Sequence, residues 1–328
     1  MNEIALIEPE KGRGLSRWQS KPIEISRGDW QDLRSLLPKF SIEDFVAPGH
    51  LEPNPYHCSI VRKPLTENEQ PVPVAIVGQN YGLVQHSQAG DAVVAAMKKL
   101  GIWFEHMDCW LELTELGEWM HVRFTLDDSY AITPTDGYPV HFCIDLYNSV
   151  DGKSRLLLQT SWLRLVCNNG LILSSASGIG LVDVHDRFVK LGPIDDVLGA
   201  ALREAEKDAQ ILEEWWANQL CADLDAWADG PLQMLWGKFN AARVLGICRS
   251  GMDGTPERFN RSPPSQLELD EREKVPGSPE QAKTLYDVAQ ALSWVAGQIG
   301  DVTKRDKFRA DIPKLIEGLK REGHRGVS

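Results

Sequence analysis

Two stretches of two-residue alternation constrain the fold of this chain more than any other feature. In residues 119–126 and again in residues 139–148 every second side chain is apolar, and those between them are mostly polar or aromatic. Successive side chains of a β-strand point to opposite faces, so each stretch predicts a strand with one face in a core. Asp151-Gly152 supplies the residues of a tight turn before a further strand over 155–167. The pattern therefore predicts an antiparallel β-meander.

Helical periodicity accompanies the strands. A short amphipathic helix over residues 88–100, closed by Gly101, is expected to cross the meander. After residue 193, apolar side chains recur at helical spacings over about thirty positions. We therefore predict an α+β fold, a twisted antiparallel β-meander with a crossing helix, followed by a long helix and a helical C-terminal region. The expected divisions are an irregular N-terminal segment (1–70), an α+β core domain (71–192), a long helical region (193–248), a flexible linker (249–282) and a C-terminal helical pair (283–321).

Charge and cysteine usage limit the classes of function. The 328-residue chain carries 35 Lys and Arg residues against 47 Asp and Glu residues, a net charge of −12. Proteins that hold duplex nucleic acid by bulk electrostatics usually carry a basic excess, so the charge argues against that class. No apolar run of about 18 residues and no N-terminal targeting pattern is present, so we expect a cytoplasmic protein without a membrane partner. The six cysteines form no Cys-x-x-Cys pair, so we expect reduced thiols, no metal and no cofactor.

A resemblance to a known family appears in the middle of the chain. Leu-Tyr-Asn-Ser-Val-Asp-Gly-Lys at 146–153, followed by Trp-Leu-Arg-Leu-Val-Cys-Asn-Asn-Gly-Leu at 162–171, resembles the bacterial phage/plasmid-like protein family, catalogued as domain of unknown function 932. Val150 stands where the family usually has His. The resemblance implies a mobile-element setting without an established reaction, and the order of elements is similar to that of phage single-strand annealing proteins. The matching positions are Asn148, Ser149, Asp151, Gly152, Arg164, Val166, Cys167, Asn169 and, ahead of the long helix, His185.

The polar faces of the meander suggest a binding surface. Aromatic rings on such a face stack with bases while Arg and Lys side chains neutralise phosphates. Together with the family's setting, this predicts a non-enzymatic mobile-element protein that binds single-stranded nucleic acid, forms a homo-oligomer and, in the extended form of the hypothesis, anneals strands in recombination. The predicted nucleic-acid-binding residues are Arg62, Lys63, Trp110, Trp119, Arg123, Tyr147, Lys153, Arg155 and Arg164.

Other interpretations of the same residues stay open. Aromatic stripes pack in cores more often than they form platforms. His141 and Cys143 point to one side of their predicted strand, where a further His or Asp of the sheet would complete a metal site. Cys167 with His185 offers a nucleophile and a base, but buried cysteine is usually inert, and we predict no catalytic residue.

The competing function is protein interaction. Residues 186–229 hold 11 acidic and 4 basic residues, which is typical of a solvated acidic helical face. Such a face predicts a module that engages or counters a host defence complex. The expected partner is therefore either a single-stranded nucleic acid or a host or phage protein.

Overall fold

The computed structural model describes residues 23–105, 107–133, 137, 139–154, 156–164, 169–171, 182–183, 194–254, 273–299 and 302–325. These residues form two compact units. The first unit contains the described residues within 23–129, 143–160 and 182–203, and the second contains those within 130–142, 161–171 and 204–325.

The sequence predicts an irregular N-terminal segment with short elements, among them a strand over 56–62, and the first unit has that strand as well as further strands and a helix before it. Strand β1 (Ile23–Gly28) is followed by helix α1 (Trp30–Leu36). Strands β2 (Phe40–Asp44), β3 (His57–Arg62) and β4 (Val72–Gly78) form an antiparallel three-stranded sheet in that order. Apolar side chains of this sheet form a buried core cluster together with Val150, which follows strand β8 (Val140–Ser149). The members from the sheet are Phe40, Cys58, Ile60, Val74, Ala75 and Val77.

Helix α2 (His86–Leu100) follows β4, and at its start the Gln85 amide donates to Gln88 Oε1 at 3.0 Å. Gly101 ends it with a φ of +73°, a left-handed conformation that glycine adopts without strain, as the sequence predicts. The buried ring of Trp30 lies against Gly90 of α2 and, at 5.7 Å between ring centroids, against Phe124.

The described part of the larger sheet has eight strands in the order β1-β5-β6-β8-β9-β10, with β7 paired to β8 and β11 paired to β9. All of its registered pairs are antiparallel. The alternating stretches of the sequence are its centre, β6 and β8. The strands are β5 (Cys109–Leu113), β6 (Trp119–Thr125), β7 (Ala131–Ile132), β8 (Val140–Ser149), β9 (Leu156–Arg164), β10 (Asn169–Leu171) and β11 (Val182–Asp183).

The C-terminal region is helical, and within it the predicted long helix ends at Ala217. A short π-helical turn (Ala228–Leu232) connects α4 with α5, and α5 is interrupted at Gly237, where φ is +78°. Strands β12 (Met252–Asp253) and β13 (Glu273–Lys274) pair within the segment expected to be a linker. The helices are α3 (Ile194–Ala217), α4 (Leu224–Trp227), α5 (Gln233–Ser250), α6 (Leu285–Gly297) and α7 (Val302–Arg325).

The predicted fold class is confirmed, because antiparallel sheets with a crossing helix precede a helical C-terminal region. Among the described helices, none has the length and apolar character needed to cross a membrane.

Candidate functional site

The centre of the larger sheet contains a buried cluster of charged side chains. Cross-strand register places Arg123 of β6 opposite Asp145 of β8, and His121 opposite Glu112 of β5. Asp145 Oδ1 accepts hydrogen bonds from Arg123 Nε at 2.7 Å and from His121 Nε2 at 2.8 Å, and His121 Nδ1 lies 2.9 Å from Glu112 Oε2. All four side chains are buried. Arg123 and His121 therefore contact two carboxylates inside the protein.

Hydrogen bonding fixes the charge state that this cluster favours. Each ring nitrogen of His121 faces a carboxylate oxygen. Burial alone raises the pKa of Asp145, but the Arg123 charge and the His121 hydrogen bond outweigh it and hold that pKa far below its ordinary value. The charged form of this carboxyl is therefore the stable one at neutral pH.

Aromatic rings enclose the charged cluster. The rings of His121 and Tyr147 stack with centroids 4.2 Å apart and an interplanar angle of 9°. The centroid of the Trp119 ring lies 5.7 Å from that of the Tyr147 ring. The Arg123 guanidinium lies 5.7 Å from the centre of the Trp110 ring. This packing buries Trp119, Tyr147 and Arg123, while Trp110 stays half-buried.

These contacts correct the prediction of an open stacking platform. Trp119, Arg123 and Tyr147 are buried, so a nucleic acid does not reach them on this sheet. Arg62 is also buried, and its guanidinium pairs with Glu69. The packing interpretation describes these four side chains, because all four are buried and the two arginines pair with carboxylates inside the protein.

The other predicted binding residues are either exposed or outside the described residues. Lys63 and Lys153 are exposed. Arg155 lies outside the described residues, and so does the side chain of Arg164. For these residues nucleic-acid binding stays a prediction.

The metal site considered on the sheet face would use His141 and Cys143 with a further His or Asp. Burial raises the pKa of the Cys143 thiol to about 12. Both ring nitrogens of His121 are already engaged with carboxylates. The structurally described ranges bring together no group of three His, Cys, Asp or Glu side chains arranged to hold a metal ion.

The family-like motif at the β8–β9 turn is a structural joint. Asn148 is fully buried, and its Nδ2 donates to the Val84 carbonyl at 3.0 Å and lies 2.9 Å from His86 Nδ1. The other His86 nitrogen, Nε2, lies 2.8 Å from the Gly117 carbonyl, which requires a proton on Nε2 and leaves Nδ1 as the acceptor for Asn148. The motif thus fixes the β8–β9 turn to the start of α2.

The remainder of the motif shapes the turn itself. The Ser149 hydroxyl donates to the Ser154 carbonyl and accepts from the Ser154 amide, both at 3.2 Å. Asp151 Oδ1 accepts from the Lys153 amide at 3.0 Å, and Gly152 has a φ of +72° that suits glycine. Cys167 and His185 lie outside the described residues, as do Val166 and the side chain of Asn169. The described motif positions therefore have packing roles.

The acidic segment carries less free charge than the sequence predicts. Asp195 pairs with Lys99, Glu214 with Lys320, and Asp225 with Arg249. Asp208 is buried and accepts a hydrogen bond from Trp162 Nε1, and Asp223 caps the start of α4. Three of these five carboxylates pair with basic side chains, which lowers the free charge of an acidic docking face built from them.

Sequence reasoning missed a basic surface on α7. This helix contains eight Lys and Arg residues against four Asp and Glu residues, although the whole chain is acidic. Ile312, Leu315, Ile316 and Leu319 are buried, so the helix packs along one side. The signal was present in the sequence as a local excess of basic residues. Four of its basic side chains are exposed, namely Lys304, Lys307, Lys314 and Arg321.

The comparisons with known proteins identify one domain. Residues 73–224 match the family described as Domain of unknown function (DUF932). This confirms the domain resemblance that the sequence motifs predicted, over the stretch from β4 to the start of α4. No curated protein and no solved structure matches the chain.

Proposed function

We propose that the protein is a non-enzymatic binder of single-stranded nucleic acid and that the exposed face of α7 is its main contact with phosphates. The observation that carries this proposal is the stripe of basic side chains on that face. Lys307, Lys314 and Arg321 follow one another at intervals of seven residues, so each lies about 20° around the helix and about 10 Å along it from the previous one. A stripe of this kind follows an extended anionic chain.

Helix α5, which contacts α7, carries an exposed aromatic ring. The Trp236 ring of α5 stacks on Phe308 of α7 with centroids 4.4 Å apart, so the start of α5 lies beside the first turns of α7. Phe239, three residues after Trp236, is 54% exposed, and Lys304 extends over the Phe308 ring. Basic side chains beside an accessible ring supply the two interactions that single-strand binders combine.

The proposed biological setting is a mobile genetic element. The resemblance to phage/plasmid-like proteins supports this setting, and the similarity in element order to annealing proteins supports pairing of complementary strands by a homo-oligomer. Annealing is measured by fluorescence energy transfer between two labelled complementary strands, with and without protein.

Fluorescence anisotropy with a labelled 30-nucleotide single strand, as DNA and as RNA, tests binding at low salt. We expect the wild-type chain to bind and the variant Lys307→Glu/Lys314→Glu/Arg321→Glu to lose at least tenfold in affinity. The control is Lys63→Glu/Lys153→Glu. It reverses two exposed charges that the sequence predicted to bind nucleic acid at the strands, and we expect it to keep the wild-type affinity.

Two results would overturn the proposal. Absence of binding at micromolar protein rejects nucleic acid as the partner. Loss of binding in the Lys63/Lys153 variant with full binding in the α7 variant returns the site to the strands. Thermal melting of every variant verifies that the exposed substitutions leave the fold intact.

A further inference from the structure

The surface of the three-stranded sheet exposes a group of apolar side chains at β2 and at the connection between β2 and β3. The exposed fractions are 46% for Ile42, 46% for Val46, 100% for Leu51 and 76% for Tyr56. Several large apolar side chains exposed together mark an interaction surface, whereas single ones are ordinary.

Hydrogen bonds hold the connection that carries this group in one conformation. The Asn54 amide donates to the Phe45 carbonyl at 2.8 Å, and the Asn54 side chain accepts from the Tyr56 and His57 amides. The Gln79 side chain donates to the Asn54 and His57 carbonyls. Leu51 and Tyr56 are therefore presented on a preformed support, which lowers the entropic cost of binding.

The outer edge of β2 offers backbone groups to a further strand. Within the described residues, β2 has a strand neighbour on one side only. At Phe40 the Gln85 side chain occupies this edge, accepting from the amide at 3.0 Å and donating to the carbonyl at 2.9 Å. Alternate residues of a strand direct these groups the same way, so Ile42 and Asp44 present theirs at the same edge. An extended segment pairing there would also contact the exposed Ile42 side chain.

The charge of this surface specifies the partner. From Phe40 to Val61 the chain contains Glu43, Asp44 and Glu52 and no Lys or Arg. All three carboxylates are exposed. A second copy of the same surface would bring six carboxylates together, so the charge disfavours self-association through it. The complementary partner carries apolar and basic side chains.

We propose that β2 and the β2–β3 connection dock an extended segment of a partner protein that combines apolar with Lys or Arg side chains. The segment adds to the edge of β2 by backbone pairing, and Leu51 and Tyr56 contact its apolar side chains. This surface belongs to the first unit, whereas α7 belongs to the second, so it would serve protein recognition in addition to nucleic-acid binding.

Selection from a phage-displayed library of random twelve-residue peptides tests the proposal with the full chain as bait. Counter-selection uses Leu51→Ser/Tyr56→Ser, in which both altered side chains are largely solvated, so folding is unaffected and is verified by thermal melting. We expect enriched peptides rich in apolar and basic residues, binding the wild-type chain at least tenfold more tightly than this variant. Met234→Ser, at a side chain that is 84% exposed in the second unit, is the matched control and binds normally.

Charge reversal gives an independent readout. In Glu43→Lys/Glu52→Lys, the selected basic peptides lose affinity, and a fresh selection yields acidic ones. Absence of enrichment, or peptides that bind the Leu51/Tyr56 variant equally, overturns the proposal. A wild-type dimer in light scattering that Leu51→Ser/Tyr56→Ser converts to monomer assigns the surface to a second copy instead and also overturns it.

Discussion

Asp145 is the residue on which the buried charges of the sheet depend. It accepts from both Arg123 and His121, so its removal leaves the buried Arg123 guanidinium without its carboxylate and the His121 ring without a partner at Nε2. Breaking a buried ion pair from one side costs about 3–5 kcal/mol. We expect Asp145→Asn to lower the free energy of unfolding by about that amount, measured by urea titration with circular dichroism.

The control is Glu204→Gln, which removes one partner of the surface pair with Lys207. Exposed pairs contribute little, so its unfolding midpoint should match that of the wild type closely. Equal effects of the two substitutions would contradict the prediction that the buried cluster contributes more to the free energy of unfolding than the surface pair does.

The pKa of Asp145 gives a prediction for pH. Its folded pKa lies far below the ordinary 3.8, so its contribution is present above that value and is lost as pH falls toward the folded pKa. We expect the stability difference between wild type and Asp145→Asn to be constant from pH 7 to about pH 5 and to shrink below about pH 4, by up to about 1.4 kcal/mol per pH unit. Urea titrations at pH 3 and pH 6 measure it, and an unchanged difference would contradict the predicted charge state.

At the scale of elements, Gly90 sets the distance between α1 and α2. Gly→Ala inside a helix ordinarily stabilises by about 0.5–1 kcal/mol. A Cβ at Gly90, however, would overlap the buried Trp30 ring. We therefore expect Gly90→Ala to destabilise by about 1–3 kcal/mol, the usual cost of overpacking, in thermal or urea unfolding.

Gly199 of α3 supplies the opposite case. A Cβ there would meet only ordinary contacts, 3.6 Å from Arg203 and 3.7 Å from Leu100. Gly199→Ala should therefore stabilise the chain. If both substitutions stabilised the chain, helix propensity, and not the Trp30 contact, would decide the outcome at Gly90.

The joint between the β8–β9 turn and α2 depends on the amide group of Asn148. Asn148→Asp keeps the shape but replaces the donor that serves the Val84 carbonyl and His86 with an acceptor. A buried group left without its partner costs about 1–3 kcal/mol. We expect a loss of that size in urea unfolding, whereas Lys153→Gln in the same turn changes stability by less than about 0.5 kcal/mol. Matching losses would mean that the turn alone, without its tie to α2, determines the effect.

Local patterns in the sequence predict the elements but not their partners. Alternation places β6 and β8 within one or two residues, and Gly101 marks the end of α2. Strand β1 was missed because it pairs with β5, more than 80 residues away, and non-local pairing leaves no local signal. The polar faces of β6 and β8 were expected to be accessible because alternation does not reveal that Arg123 meets Asp145 across the strands.

At the scale of the whole molecule, the charge distribution separates a basic helix from an acidic chain. The net charge of −12 opposes nucleic acid at long range, while the exposed side chains of α7 attract phosphates at short range. Salt screens long-range repulsion and also weakens contacts that release counterions. Binding through a few helix side chains is therefore expected to depend measurably, but not steeply, on salt.

The dependence of affinity on salt tests this balance. Each phosphate neutralised on a single strand contributes about −0.7 to the slope of log K against log salt, so four exposed bases on α7 set a slope no steeper than about −3. Lys314→Gln should make the slope shallower by about 0.7, because it removes one phosphate contact, while Lys153→Gln leaves it unchanged. Anisotropy titrations between 25 and 200 mM salt, roughly the range in which counterion release is resolved, measure both slopes. A slope near zero in the wild type, or an equal change in both variants, would show that α7 does not hold the strand.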